Sequence, residues 1–334
     1  FNYKLNFTAD IYQNDKEDML LLERLPASVG TYQPRANGIW DVRQTNGGNM
    51  VNKGLEIGLN YKDKTDGDLK YTLNGTFTKN INEVTNLNGI ERGYANGRPS
   101  FALGENIDYT TFLAEGYEAG AFFLIPTDGV IKTQEQLEAY KPLFGGAQLG
   151  DMMYKDVNGN GAIDDDDRVY SGSGQPEFEA GFSLNLEYKN FDFYAQLYYS
   201  YGAEIYNGAR YFAYTQGRHK EQFYQWSPQN SDSDIPTNRI NGYHNNVRAY
   251  SDYWLEDGTY LRIRNLSLGY TLPHSVDFGV EKARFYIAAT NPFTFTEYNG
   301  YDPEVGGDGI FTRGLDRGNY PVARQFLLGV QFSF

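Results

Sequence analysis

Apolar and polar residues alternate singly along much of this chain. Near its end, Phe326, Leu328, Val330, Phe332 and Phe334 fall on one side, with Gln325, Leu327, Gly329, Gln331 and Ser333 on the other. A period of two marks a β-strand with two unlike faces. The pattern returns where Phe178, Ala180, Phe182, Leu184, Leu186 and Tyr188 interleave with Glu179, Gly181, Ser183, Asn185 and Glu187. Phe191, Phe193, Ala195, Leu197 and Tyr199 repeat it, as do Tyr3 to Ile11 and Leu55 to Tyr61. In one segment the phase changes: Leu261 and Ile263 are followed by Leu266, Leu268, Tyr270 and Leu272. An extra residue, a β-bulge, is therefore expected near Asn265.

Read in order, the alternation predicts about ten strands, at 2–13, 51–63, 69–83, 106–116, 120–130, 177–189, 191–206, 252–273, 283–296 and 320–334. Short links at 63–68, 117–119, 190 and 273–282 alternate with long segments at 14–50, 84–105, 131–176, 207–251 and 297–319. A transmembrane barrel is strung in this way, with tight turns at the periplasmic end and long loops outside. A soluble β-sandwich also alternates inside and out, but has no reason to sort its loops by length and side. The expected fold is all-β, a transmembrane antiparallel β-barrel segment over residues 1–334, its apolar face on outer-membrane lipid and its C-terminus in the periplasm. Two loops carry helical signals. Thr133 and Gln136 have capping-box spacing, and Tyr211, Tyr214 and Phe223 recur at helix-like intervals interrupted by Gly217.

Composition narrows the reading. With no Cys there is neither a disulfide scaffold nor a thiolate site, and no apolar run of about 18 residues offers a transmembrane helix. The 29 Tyr and 22 Phe suit aromatic girdles at two membrane interfaces. A net charge of −14 argues against a nucleic-acid partner, which needs a basic face. The chain opens inside a strand without Met, so a mature piece or a fragment of a longer protein is expected.

One segment has the spacing of a ligand loop. Asp156, Asn158 and Asn160 stand at positions 1, 3 and 5 of a twelve-residue calcium loop, Gly161 at the turn, Ala162 offering its carbonyl, and Asp164 and Asp167 at positions 9 and 12. A hard cation wants such a ring of oxygens, so Ca²⁺ is expected within 154–168, as a structural ion stiffening an external loop. Asp in place of the usual Glu at position 12 shortens the reach. Trp40, Tyr211, Trp226 and Trp254 lie in or beside long loops, where their faces could stack on sugar rings or anchor at the interface. The three His, at 219, 244 and 274, lack metal-ligand spacing. No nucleophile elbow, phosphate loop or zinc-protease helix is present, and no catalytic residue is assigned.

The chain carries, in order, Asn52-Lys53-Gly54-Leu55-Glu56, Glu115-Gly116-Tyr117, Thr127-Asp128-Gly129-Val130, Tyr154 through Arg168, Tyr260 through Tyr270, Asn291-Pro292-Phe293, Tyr301-Asp302-Pro303-Glu304-Val305 and the terminal Phe334. This ordered set resembles the C-terminal barrel portion of the SusC/RagA family, the TonB-dependent outer-membrane transporters of Bacteroidetes. The resemblance implies a 22-stranded barrel whose plug and TonB box lie outside this chain. It further implies a SusD-like lipoprotein and TonB as partners, and the expected activity is import of a large nutrient, an oligosaccharide or a peptide, with the oligosaccharide favoured. The rival reading from the residues alone is a free-standing small barrel acting as an enzyme or adhesin.

Overall fold

The computed structural model describes residues 3–24, 42–88, 92–94, 110–239, 248–273, 280–307 and 312–334. Eight long antiparallel strands form a wall: β1 (Leu5–Arg24), β2 (Val42–Lys64), β3 (Leu69–Asn86), β4 (Phe178–Tyr188), β5 (Phe191–Tyr201), β6 (Tyr260–Thr271), β7 (Lys282–Thr296) and β8 (Gln325–Ser333). They pair in chain order, each with the next, in a single sheet.

The register sorts the two faces. Leu5, Tyr61, Leu73, Leu184, Ala195, Leu266, Ala289 and Phe326 stand side by side across all eight strands. One residue further on, Asn6, Asn60, Asn74, Ser183, Gln196, Asn265, Thr290 and Gln325 form the matching row on the opposite face. The apolar face is open: Leu328 is 80% and Phe326 76% exposed. Water would penalise that surface at roughly 25 cal/mol per Å², whereas lipid tails would not. Aromatic contacts collect at its two margins. Tyr61 meets Tyr71 at 5.9 Å and Phe191 meets Tyr270 at 4.7 Å on one, while Phe178 meets Phe77 at 5.4 Å and Tyr201 at 5.1 Å on the other. Strand β4 runs from one margin to the other, about 33 Å at roughly 3.3 Å per residue, or about 25 Å along the membrane normal at a 40° tilt.

The bulge lies where the phase change put it. Gln196 faces Asn265 and Leu197 faces Ile263, so Arg264 is an extra residue against β5. Against β7 the register also slips, with Ile263 opposite Phe293 and Asn265 opposite Thr290. Pro292, without an N–H for the ladder, sits in that gap beside Asn291 at φ +51°.

Eight wall strands replace the ten expected. Among the described residues the segments 106–116 and 120–130 supply short strands outside the wall: Thr111–Ala114 and Ala121–Leu124, paired with each other in a separate small sheet, and Thr127–Val130, paired with Met152–Tyr154. The reason is legible in the residues: Ala121, Phe122, Leu124 and Ile125 are fully buried, a continuous apolar run rather than an alternating one. The end of the expected strand 191–206 turns out of the wall at Gly202, where φ is +80°. The start of 252–273 is a 3₁₀ turn, Asp252–Trp254, and a short strand, Leu255–Asp257. Short and long connections still alternate. Residues 65–68 and 189–190 close one end, where β6 also ends and β7 begins, and the described parts of the segments between β3 and β4, β5 and β6, and β7 and β8 leave from the other.

These three long segments pack together into a cap over that end. One core joins Phe122, Leu124, Tyr206, Tyr214, Trp254 and Leu315, and a second joins Ile125, Val130, Met152, Tyr154 and Trp226. Tyr206 and Asn207 pair in parallel with Leu315 and Asp316, binding two loops directly. Helix α1 (Gln134–Tyr140) begins at Thr133 with the expected capping box, and α2 (Gly208–Thr215) is capped by the Asn207 side chain.

Candidate functional site

The wall face opposite the apolar one is built largely from uncharged hydrogen-bonding groups. Asn60 donates to Asn74, whose Nδ2 donates to Ser183 Oγ at 3.0 Å. Asn265 Nδ2 donates to Gln196 Oε1 at 2.8 Å, and Thr290 Oγ1 to Asn265 Oδ1 at 3.4 Å. Nearer the short turns, Arg284 Nε donates to Asp192 at 2.9 Å across Gly269. A Cβ at Gly269 would lie 2.5 Å from Asp192 Oδ1, so the pair crosses there because the position is bare. Charge on this face is paired at Arg284 and Asp192, whereas the exposed carboxylates of Asp10 and Glu56 stand opposite one another in the ladder; the rest of the exposed chemistry is mainly amide and hydroxyl.

The bulge arms the upper wall with two arginines. Arg262 is buried, its Nη2 donating to Asp302 Oδ1 at 2.5 Å, its Nη1 to Glu304 Oε2 at 2.6 Å and its Nε to Thr294 Oγ1 at 3.0 Å. Arg264 grips both oxygens of Glu304, at 2.8 and 2.9 Å, and lies 4.9 Å over the Tyr198 ring. Asp302 Oδ2 also accepts Val322 N–H at 3.0 Å. The segment 298–305 is thus held against the polar face. The motifs containing these residues were visible in the sequence but their pairing was not. A usable signal existed: a phase change that carries arginines, followed by an acid–Pro–acid loop.

In the cap, Arg210 lies between carboxylates and rings. Its Nη2 reaches Glu221 at 3.1 Å, its Nη1 reaches Glu256 at 3.4 Å, and its guanidinium stands 4.9 Å from the Tyr253 ring. Burial works to raise the Glu221 pKa, but the Tyr214 hydroxyl, at 2.6 Å, and Arg210 more than offset it and hold the carboxyl below its usual range. Burial depresses His219, whose Nδ1 accepts Glu221 N–H at 3.4 Å. Burial also raises the carboxyl of Glu204, which stands across from Asp257 in the ladder.

The loop aromatics named as stacking candidates belong to this core. Trp254 is fully buried, with Tyr211, Tyr214 and Tyr253 against it at 5.4, 5.1 and 4.8 Å, and its Nε1 donates to Arg248 O at 2.9 Å. Trp226 is buried against the second core, and Tyr211 packs on the first. Burial leaves Trp226 and Trp254 no open face for a sugar ring, Tyr211 is half-buried, and Trp40 lies outside the described residues. Aromatics open to solvent in this region include Phe212, Phe223, Tyr224, Tyr301 and Tyr320.

The loop 156–167 folds as a compact turn. Asp156 Oδ1 accepts the N–H groups of Gly159 and Asn160, at 2.7 and 3.1 Å, and its Oδ2 that of Gly161 at 2.8 Å. Asn158 and Asn160 accept from the amides two residues on, both at 2.8 Å. Gly159 and Gly161 take φ of +72° and +83°, the left-handed turn that only glycine makes cheaply. Asp167 is buried, accepting Val157 N–H and Asp164 N–H, each at 2.8 Å. Asp164 Oδ2 accepts from Asn160 Nδ2 at 3.2 Å. Among the described residues no group of three or more His, Cys, Asp or Glu is arranged as a metal site. A cation here would draw on the mixed set, two carboxamides and the Ala162 carbonyl beside the carboxylates. Ile163 anchors the loop to the Trp226 core.

Comparison with known proteins agrees with this architecture. No family model matches the chain. TonB-dependent receptor P3 of Formosa agariphila is 29% identical over 350 aligned residues, covering all of this chain and 33% of the receptor. TonB-dependent receptor SusC of Bacteroides thetaiotaomicron is 27% identical over 343 residues, again covering all of this chain and 30% of its own length. Among solved structures, the RagAB peptide transporter aligns with a TM-score of 0.73 at 25% identity, covering all of this chain and 34% of that one. The chain spans about a third of the length of the curated relatives it matches. The resemblance to SusC-like TonB-dependent receptors read from the sequence thus holds over the whole chain.

Proposed function

We propose that this chain forms part of the wall and outer cap of an outer-membrane importer for a large nutrient, an oligosaccharide in preference to a peptide. The observation that carries the reading is the eight-strand register, with an unbroken apolar row on one face and an unbroken polar row on the other. Such a sheet separates lipid from a wet lumen. The amide and hydroxyl row suits a neutral, hydroxyl-rich cargo, because it offers donors and acceptors without uncompensated charge. Energy from TonB and a SusD-like lipoprotein over the cap complete the reading, both engaged through surfaces that extend beyond this chain. Similarity to SusC-like receptors supports it. The likeness to a peptide transporter keeps peptide as the rival cargo. No chemical step is assigned to these residues.

Deleting the gene and growing cells on single polysaccharides or on peptides tests the cargo. Loss of growth on one glycan, restored by the gene, is expected. A defect confined to peptides would overturn the choice of cargo, and a protein absent from the outer-membrane fraction would overturn the whole reading.

The loop of Asp156, Asn158, Asn160, Ala162, Asp164 and Asp167 is proposed to take one structural Ca²⁺. Isothermal titration of the folded protein with CaCl₂ should give one site that Asp156→Ala abolishes. Absence of binding at millimolar Ca²⁺ would exclude it.

A further inference from the structure

The arginines at the bulge have a consequence for how the lumen is shaped. Segment 298–305 is tied at both ends. Tyr298 OH donates to Asp316 Oδ2 at 2.5 Å, Asn299 N–H to Glu256 Oε2 at 2.8 Å, and Asp302 and Glu304 are gripped by Arg262 and Arg264. Glu256 is in turn held by Asn207 Nδ2, at 3.1 Å, and by Arg210. The segment therefore bridges the polar wall face and the cap core through carboxylates, each with more than one partner. Between these ties, Tyr301 is 73% exposed.

We infer that Arg262 and Arg264 are positioning residues that fix segment 298–305 as an immobile ledge over the polar wall face, with Tyr301 as its open tip. A loop that swung as a gate would have to strip a buried guanidinium of two carboxylates in each cycle, and a buried charge left unpaired is strongly disfavoured. Movement that admits cargo would then come from other parts of the protein, and the width of the passage at this height would be constant. The inference rests on the polar face lining a lumen, but its test needs no cargo.

Spin labels at Tyr301→Cys and Glu56→Cys, in the full protein as cells assemble it, report the distance from ledge to wall by pulsed electron resonance. This chain contributes no native cysteine, and Glu56 is an exposed position on the polar face. A single narrow distance distribution is expected. Arg262→Ala with Arg264→Ala should broaden it, and Arg262→Lys alone should broaden it less. A wall-to-wall pair, Glu56→Cys with Glu187→Cys, should remain narrow throughout. A bimodal or broad distribution in the protein with both arginines intact would overturn the ledge, even if the double variant failed to assemble. So would a double variant that assembled with its distribution unchanged.

Discussion

At the residue scale, the environment of a side chain depends on parity within its strand. Leu184 and Ser183 are neighbours on β4, yet Leu184 stands in the apolar row and Ser183 in the amide row. Leu184→Arg should destabilise the assembled protein by about 2–4 kcal/mol, as arginine does on a lipid-facing site near the midplane. Ser183→Arg should cost less. Denaturant titration in lipid vesicles measures both, and equal penalties would contradict the two-faced wall. In the cap, His219 and Glu221 share one sign. Both are depressed in the folded state, so each contributes stability above its unfolded pKa, about 6.5 for His and 4.3 for Glu, and that contribution fades as pH falls. Protonating His219 Nδ1 also removes the acceptor that caps Glu221 N–H. Amide protection factors in 208–225, corrected for the intrinsic slowing of exchange in acid, should therefore fall from pH 7 to 5, and His219→Ala should flatten that response.

At the element scale, the sequence was most legible where a strand meets two different solvents. Most of each wall strand alternates, so its type and phase could be read there residue by residue, and the bulge appeared as a slip near Asn265; the outer parts of β1 and β2, 14–24 and 42–50, lack that period and were expected as loop. The cap was less legible, because its order depends on long-range packing that leaves no period in the sequence. Ala121 to Ile125 looked like wall but is buried on all sides, and Trp254 looked like a loop aromatic but is the centre of a core. Of the expected sites, the calcium loop was local enough to be recognised as a turn. The arginine clamp spans 40 residues of sequence from Arg262 to Asp302 and was not recognised. Trp254→Ala should cost about 3–5 kcal/mol of local cap stability, as truncation of a buried Trp does. Phe223→Ala, at a site 90% exposed, should fall within about 0.5 kcal/mol of zero. Exchange rates of the cap amides separate the two.

At the scale of the whole molecule, the wall is a sheet with two margins. Among the described residues β1 pairs only with β2 and β8 only with β7, so each leaves one side of its backbone without a strand partner. Lipid cannot satisfy those N–H and C=O groups. Residues 1–334 produced alone should therefore aggregate rather than yield a heat-resistant monomer in detergent. Recovery of such a monomer would favour the small closed barrel over a share in a larger one.

The pairing of Tyr206 with Leu315 also says something about time. These residues belong to different loops, separated in the chain by β6 and β7, and pairing of those two strands brings the loop bases together, which lowers the entropy cost of joining them. The wall is thus the mould in which the cap is cast, and the cap is expected to set after β6 and β7 have registered. A fault in the cap, such as Leu315→Asp, would then arrive late, leaving a protein that is inserted and registered but unfinished on its outer side.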